Sequence, residues 1–348
     1  MRNRLSILLS LIGILSIGSP ALAARAGEPE ILRVVRIIHG PSALDSFRRP
    51  TAIVSDSTRG MFVIADTGNH RLAIFDDRFR SRGLLAADAG GPGASAGEPK
   101  ALAIDARARL VVVDDLRNDV EVMTPRGGHL ASIVPRLDPE DPLPLAPQDV
   151  ALGSSGRLYI LCGGKRPGVL VTRRDGTPVS RIGFDGPPDA CLVRPVAVAV
   201  NRDESLIVVL DTGAEHPVRV YRPNGTLVTA FGDHKEGVGG FSLPVDVVWG
   251  PRGALWITDT IRHSISVFDD RGTFLGRIGG FGTGPGQFNY PVGCAFLATD
   301  RIAVLERAGA RCQVLQVALP TLDTNSQEFT SAGQPDLITR IRKGGKNK

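Results

Sequence analysis

Apolar residues along this chain come in runs of four to six, each bounded by Gly, Pro, Asn or Asp, and the runs recur in sets. A proline heads each set: Pro50, Pro99, Pro147, Pro195, Pro244 and Pro291, spaced 49, 48, 48, 49 and 47 residues apart. Behind each proline lies a first run, "TAIVSD", "KALAID", "QDVALG", "VAVAVN", "VDVVWG" and "VGCAFL". A second run ends at Asp66, Asp114, Cys162, Asp211, Asp259 and Glu306. A third run follows ("RLAIF", "DVEVM", "GVLVT", "VRVY", "SISVF", "CQVLQV"), and in five units a small turn leads to a fourth, such as "LVTAFG" or "FLGRIG". Six copies locked to one period define an internal repeat.

Runs this short, punctuated by turn residues, argue for strands over helices. Four strands in a unit of about 48 residues is the signature of a β-propeller blade. The innermost strand, buried on both faces, reads as almost wholly apolar, as "AVAV" does, while outer strands alternate. The sixth unit lacks a fourth run, because Pro320 follows the third. An orphan strand, "ILRVVRIIHG", stands ahead of the first proline. The fold class is therefore all-β: a six-bladed β-propeller in which residues 31–38 complete the sixth blade and close the ring, removing its exposed edges.

The stretches "ADTGNHRLAIFD" and "VFDDRGTFLGRIGGFGTGPGQFNYPVG" make the chain resemble the NHL-repeat family. The likeness spans all six units, is strongest in the first and fifth, and is weakest in the third, where Cys162 replaces the expected Asp. It implies a six-bladed propeller, a fold found in ligand-binding and interaction domains, sensor ectodomains, RNA-binding proteins and a few enzymes such as the peptidyl-hydroxyglycine lyase. The Cys/His cluster of a RING domain is absent from the sequence, so no ubiquitin-ligase role follows from the likeness.

The ends read differently from the repeat. Arg2 and Arg4, an apolar run from Leu5 to Gly18 and the triplet Ala21-Leu22-Ala23 have the layout of a signal peptide, residues 1–23. The propeller occupies 24–320, and 321–348 reads as a polar, basic, disordered tail. An exported protein, periplasmic or extracellular, monomeric and with no transmembrane segment in its mature part, is expected. The formal charge of +5 comes mostly from the ends. Setting aside Arg2 and Arg4, and the five bases and three acids after Pro320, leaves 34 bases against 33 acids. A nearly neutral body makes nucleic acid an unlikely partner.

Several side chains carry candidate chemistry. Asp66, Asp114, Asp211, Asp259 and Glu306 recur by period, as do His70 and His263, and are expected to be structural: a carboxylate there accepts N–H bonds and fixes a turn. Around the central channel the polar entries are Thr51, Lys100, Gln148, Asp149 and Asp246. None of the innermost positions beside the prolines is His, which disfavours a zinc lyase. Asp149 and Asp246 are weak candidates for a shared calcium ion; otherwise no cofactor is expected. Arg117, Lys165 and Arg262, in turns on one face of the disc, are candidates for holding a protein, peptide or glycan. Cys162 and Cys191 are close enough along the fold for a disulfide to be feasible, whereas Cys294 and Cys312 are separated by a strand and expected to be buried and unbonded. The function expected is a non-catalytic binding or scaffold module, with metal-assisted hydrolase or lyase chemistry in the channel as the alternative.

Overall fold

A computed structural model describes residues 29–86, 97–138 and 140–319; the leader at 1–23 and the tail at 321–348 lie outside them. Among the described residues every regular element is a strand apart from two short 3-10 turns, Thr67–Asn69 and Pro251–Gly253. No helix among the described residues is long and apolar enough to cross a membrane.

The strands form six antiparallel four-stranded sheets, in the order the repeat predicts. Five blades are sequential; blade one, for example, runs Ala52–Asp56, Met61–Asp66, Arg71–Asp76, Ser81–Ala86. The sixth is composite: Pro291–Ala298, Arg301–Glu306 and Arg311–Ala318 are joined at the outer edge by Glu30–Ile38. That last strand pairs from Glu30 opposite Ala318 to Ile38 opposite Cys312. The chain's two ends thus latch the ring.

The inner strands follow one another around the ring, and the last, Pro291–Ala298, lies against the first, Ala52–Asp56. There is no single central core. Six buried apolar clusters instead fill the six spaces between neighbouring blades, such as that uniting Ala199, Val208, Leu210 and Val220 with Val247, Leu255 and Phe268. Each second strand is wedged between two such slabs, which is why runs like "VVVD" and "IVVLD" are buried at every residue.

The repeated acids cluster where the chain enters each blade. Asp66 accepts the Arg48 N–H at 2.7 Å and the Arg71 guanidinium at 2.8 Å. Asp211 accepts the Val193 and Arg194 N–H groups, Asp259 those of Ser242 and Leu243, and Glu306 that of Asn289. Asp114 bonds within its own turn, to the Leu116 and Arg117 N–H groups. His70 and His263 share a left-handed conformation, φ 54° and 53°. His70 Nδ1 lies 3.1 Å from Gly97 O, and His263 Nδ1 accepts the Tyr290 N–H.

One sequence expectation fails here. Cys162 and Cys191 are unbonded, as are Cys294 and Cys312. The Cys162 thiol is sunk in the slab between blades two and three, beside Val113 and Leu170. Cys191 sits in the crossing to blade four, its Sγ 3.6 Å from Gly186 O. Adjacent loops on one face do not bring a buried strand thiol to the surface.

Candidate functional site

In five blades the register of the inner strand slips just after its proline, as between Pro99 and Ala101 or Pro147 and Asp149. The bulge turns the residue behind the proline toward the ring axis, a familiar way of re-aiming a side chain beside a site. Lys100, Gln148, Val196, Val245 and Val292 all reach the axis this way, with Thr51 at the matching place in blade one. They line a cavity of about 440 Å³ at the end of the channel where the prolines lie.

Asp149 and Asp246, on blades three and five, open into this one cavity. Asp149 Oδ1 accepts the Val150 N–H at 2.8 Å, and its Oδ2 accepts the Val198 N–H of the next blade at 2.8 Å. Asp246 repeats the arrangement, with Oδ2 taking the Cys294 N–H of blade six at 2.9 Å. At the equivalent place blade six has Gly293, where a Cβ would lie 3.2 Å from Asp246 Oδ2. The missing side chain leaves room for that carboxyl.

Enclosure by the channel wall sets the protonation of both acids. Burial pushes Asp149 up to about 6 against the pull of the Val198 and Val150 N–H groups and, more weakly, of Lys100. Burial pushes Asp246 to about 7, the Cys294 N–H opposing and the Asp149 charge adding to the rise. Both acids therefore titrate close to neutral pH, Asp246 holding its proton more tightly than Asp149. Lys100 lines the same cavity, its Nζ donating to Gln148 Oε1 at 2.7 Å and to Asp115 Oδ1 at 2.8 Å. An ammonium has three N–H groups, so one remains for a ligand.

Thr51 is spent differently, its hydroxyl lying 2.6 Å from Thr67 Oγ1 and 3.1 Å from Pro99 O. The structure also brings to the mouth residues that sequence reasoning did not assign to the channel: Arg49, Glu98, Thr67, Asp115, Thr260 and Arg307. Two periodic positions supply them, the residue before the proline and the residue after the acid that ends the second strand. The period itself could have exposed them.

The donor set does not suit calcium. That ion takes six to eight oxygens, whereas both oxygens of Asp149 and one of Asp246 already accept backbone N–H groups, and an ammonium stands in the cavity. No group of three or more His, Cys, Asp or Glu side chains poised for a metal occurs among the described residues.

The loop-face cations fare no better as a binding patch. Arg117 is tied to Glu121 at 2.8 Å and to Asp114 and Asp119. Arg262 donates to Lys235 O, Gly237 O and Ser242 Oγ. Lys165 alone of the three is exposed.

Comparison with known proteins adds three points. An NHL-repeat family model matches residues 47–75, from the entry into blade one to its third strand. No curated protein sequence matches the chain. Among solved structures, a gluconolactonase from Xanthomonas campestris is similar at TM-score 0.60 and 16% identity, covering 84% of this chain and 97% of that one. Regucalcin from Agrobacterium tumefaciens, a calcium-binding protein, matches at TM-score 0.57 and 15% identity, over 83% and 97%. A virginiamycin B lyase from Staphylococcus aureus matches at TM-score 0.54 and 11% identity, over 83% and 99%.

These findings correct the expectation of a non-catalytic scaffold holding a protein, peptide or glycan on a loop face. The similar propellers include a gluconolactonase and a lyase, two of the three cations of the expected patch are engaged internally, and titratable groups gather instead in the channel. With six periodic four-stranded blades and the family match on the first of them, the chain is a six-bladed β-propeller whose first blade carries an NHL repeat.

Proposed function

We propose that the protein is a hydrolase acting on a small polar ester or lactone at the proline end of its central channel. The observation that carries this is the convergence of Asp149 and Asp246 from different blades on one cavity that also holds the Lys100 ammonium. Their elevated proton affinities bring both into the range where general acid–base catalysis is efficient near neutral pH. The fold likeness to gluconolactonases supports the substrate class by analogy alone. The leader-like layout of residues 1–23 supports an exported enzyme.

In the proposed cycle the ionised Asp149 takes a proton from a water as its oxygen bonds to the substrate carbonyl carbon. The free N–H of Lys100 faces the charge that develops on the carbonyl oxygen. As the C–O bond breaks, protonated Asp246 gives its proton to the leaving oxygen. Transfer of the proton on Asp149 back to Asp246 restores the pair, so the net change is addition of one water. Gln148 and Asp115 hold Lys100 in place. No step passes through a metal, because the donor set described above does not fit one.

The test is hydrolysis of a panel of sugar lactones and short aryl esters, with and without a chelator, by the wild type and by Asp149→Asn and Asp246→Asn. Loss of roughly 100-fold or more in kcat/KM in each variant is expected, on the usual scale of acid–base catalysis. Unaltered turnover in either variant, or no turnover of any panel member by the wild type, would defeat the proposal.

A further inference from the structure

The ring has a second face, opposite the channel mouth, formed by the turns joining first to second and third to fourth strands. On blades two, three and four these turns present Arg107, Arg126, Arg157, Arg173, Arg202 and Arg222, all exposed. None of the six is in an ion pair among the described residues. Arg174 adds a seventh exposed guanidinium, its Nε bonded to Gly156 O.

The acids of the same turns are mostly consumed. Asp105 is buried against Arg109 at 2.6 Å. Glu204 takes the Ser155 N–H and the hydroxyls of Ser154, Ser155 and Tyr159. Only Asp175 and Asp203 are exposed, and each accepts bonds from its own turn. The surplus is local. On blade one, Arg59 pairs with Asp56 and Arg80 with Asp76, and on blade five Asp269 and Asp270 flank Arg271. The turns are contiguous, since Glu204 ties blade four to blade three and Gly176 sits against Ile133 of blade two.

We propose that this arginine crescent docks the ring on a membrane surface through anionic phospholipid headgroups. The turns lie at one level across three adjacent blades, so their guanidinium groups can meet a planar array of phosphates together. Arginine suits that role, because its planar fork holds phosphate through two parallel N–H bonds. Every lysine between Ala24 and Pro320 (Lys100, Lys165, Lys235) lies on the mouth side, so the turn face is built with arginine alone. Single-stranded nucleic acid fits less well, because binding it calls for aromatic stacking platforms. The turns of blades two to four hold no Phe, Tyr or Trp. Docking by this face leaves the channel mouth pointing into solvent. The inference stands apart from the proposed hydrolysis and needs no turnover to be tested.

The experiment is vesicle flotation of the chain lacking residues 1–23, whose apolar run would itself partition into lipid. Phosphatidylcholine vesicles are compared with vesicles carrying about 30% phosphatidylglycerol, at low and moderate salt. Binding is expected with the anionic vesicles only and should weaken with salt. The triple variant Arg157→Glu, Arg173→Glu, Arg222→Glu should bind at least ~10-fold more weakly, given the contribution of each basic residue at an anionic surface. Arg271→Glu on blade five should bind as wild type, and a triple alanine variant at the same three positions should fall between. A thermal melt confirms that each variant is folded. Binding that persists in the triple glutamate variant, as it would if the basic tail carried it, overturns the proposal. So does equal loss in Arg271→Glu, or tighter binding of a single-stranded oligonucleotide than of vesicles at the same salt.

Discussion

The carboxylate of Asp149 reaches across a blade boundary to the backbone N–H of Val198, 2.8 Å away, and so belongs both to the channel and to the joint between blades three and four. Asp246 and Cys294 repeat the relationship one blade pair further on. A carboxylate in such a joint is held rigidly, and the channel wall withdraws it from bulk water. Burial outweighs the N–H donors, which is why both acids bind protons more tightly than in an unfolded chain.

The sign of the pH dependence follows. An acid whose folded value is raised above its ordinary 3.8 contributes no penalty below that pH and destabilises the fold progressively as pH rises through the folded value. For this pair the window runs from about 4 to about 7, at a slope of up to ~1.4 kcal/mol per pH unit for each group. Asparagine at these positions removes the titration, although its amide mismatches one of the N–H donors. The stability of Asp149→Asn, Asp246→Asn relative to wild type should therefore improve by a few kcal/mol between pH 4 and pH 8. Urea unfolding across that range measures it; a difference that does not change with pH would mean that neither carboxyl is raised.

Asp66 presents the opposite case. It is fully buried and accepts the Arg48 N–H, the Asn69 amide and the Arg71 guanidinium, which also grips Asp45. Asp66→Ala strands those donors in a site closed to water, at a cost of about 3–5 kcal/mol. The channel lies outside this joint, so substrate KM should hold at temperatures where the variant stays folded. Chemical denaturation combined with kinetics at low temperature separates the two effects.

The four thiols also differ in a measurable way. Cys162, Cys294 and Cys312 are buried, and burial raises each thiol above its ordinary value, Cys162 to about 12. Cys191 is half-exposed. The thiolate is the reactive form, so a disulfide-forming reagent should titrate one thiol in the native protein and four in denaturant. Two in denaturant would reveal a bond between a pair of them.

How legible was all this in the chain? The prolines and the acids ending second strands carried the blades, because every blade solves the same packing problem with the same residues. Even the composite sixth blade could be read, since an orphan strand at one end matched a missing strand at the other. The channel pair was legible as Asp149 and Asp246 because they break an otherwise apolar inner strand. Their hydrogen bonds to the next blade were not, for a contact across 48 or 49 residues leaves no local pattern. The loop-face cations misled for a related reason. Sequence shows that Arg117 is charged, but only the fold shows that Glu121, four residues on in the next strand, turns back to take that charge.

The ring closure yields the last prediction. Glu30–Ile38 covers the outer edge of Arg311–Ala318, pairing along its whole length, and its Val34 and Val35 pack onto the two apolar slabs that flank blade six. Removing residues 24–40 would open that edge and uncover both slabs. A loss of several kcal/mol is expected, lowering Tm by about 10 °C or more for a domain of this size. If the truncated chain fails to fold, Val34→Asp gives a milder version, placing one carboxyl against Ile302 and Leu315 in the slab between blades five and six. That variant should still melt cooperatively, several degrees below wild type, because each blade is braced by two neighbours and the ring loses its latch as a unit. A Tm equal to wild type in both proteins would show that the ring is held shut by its inner strands alone.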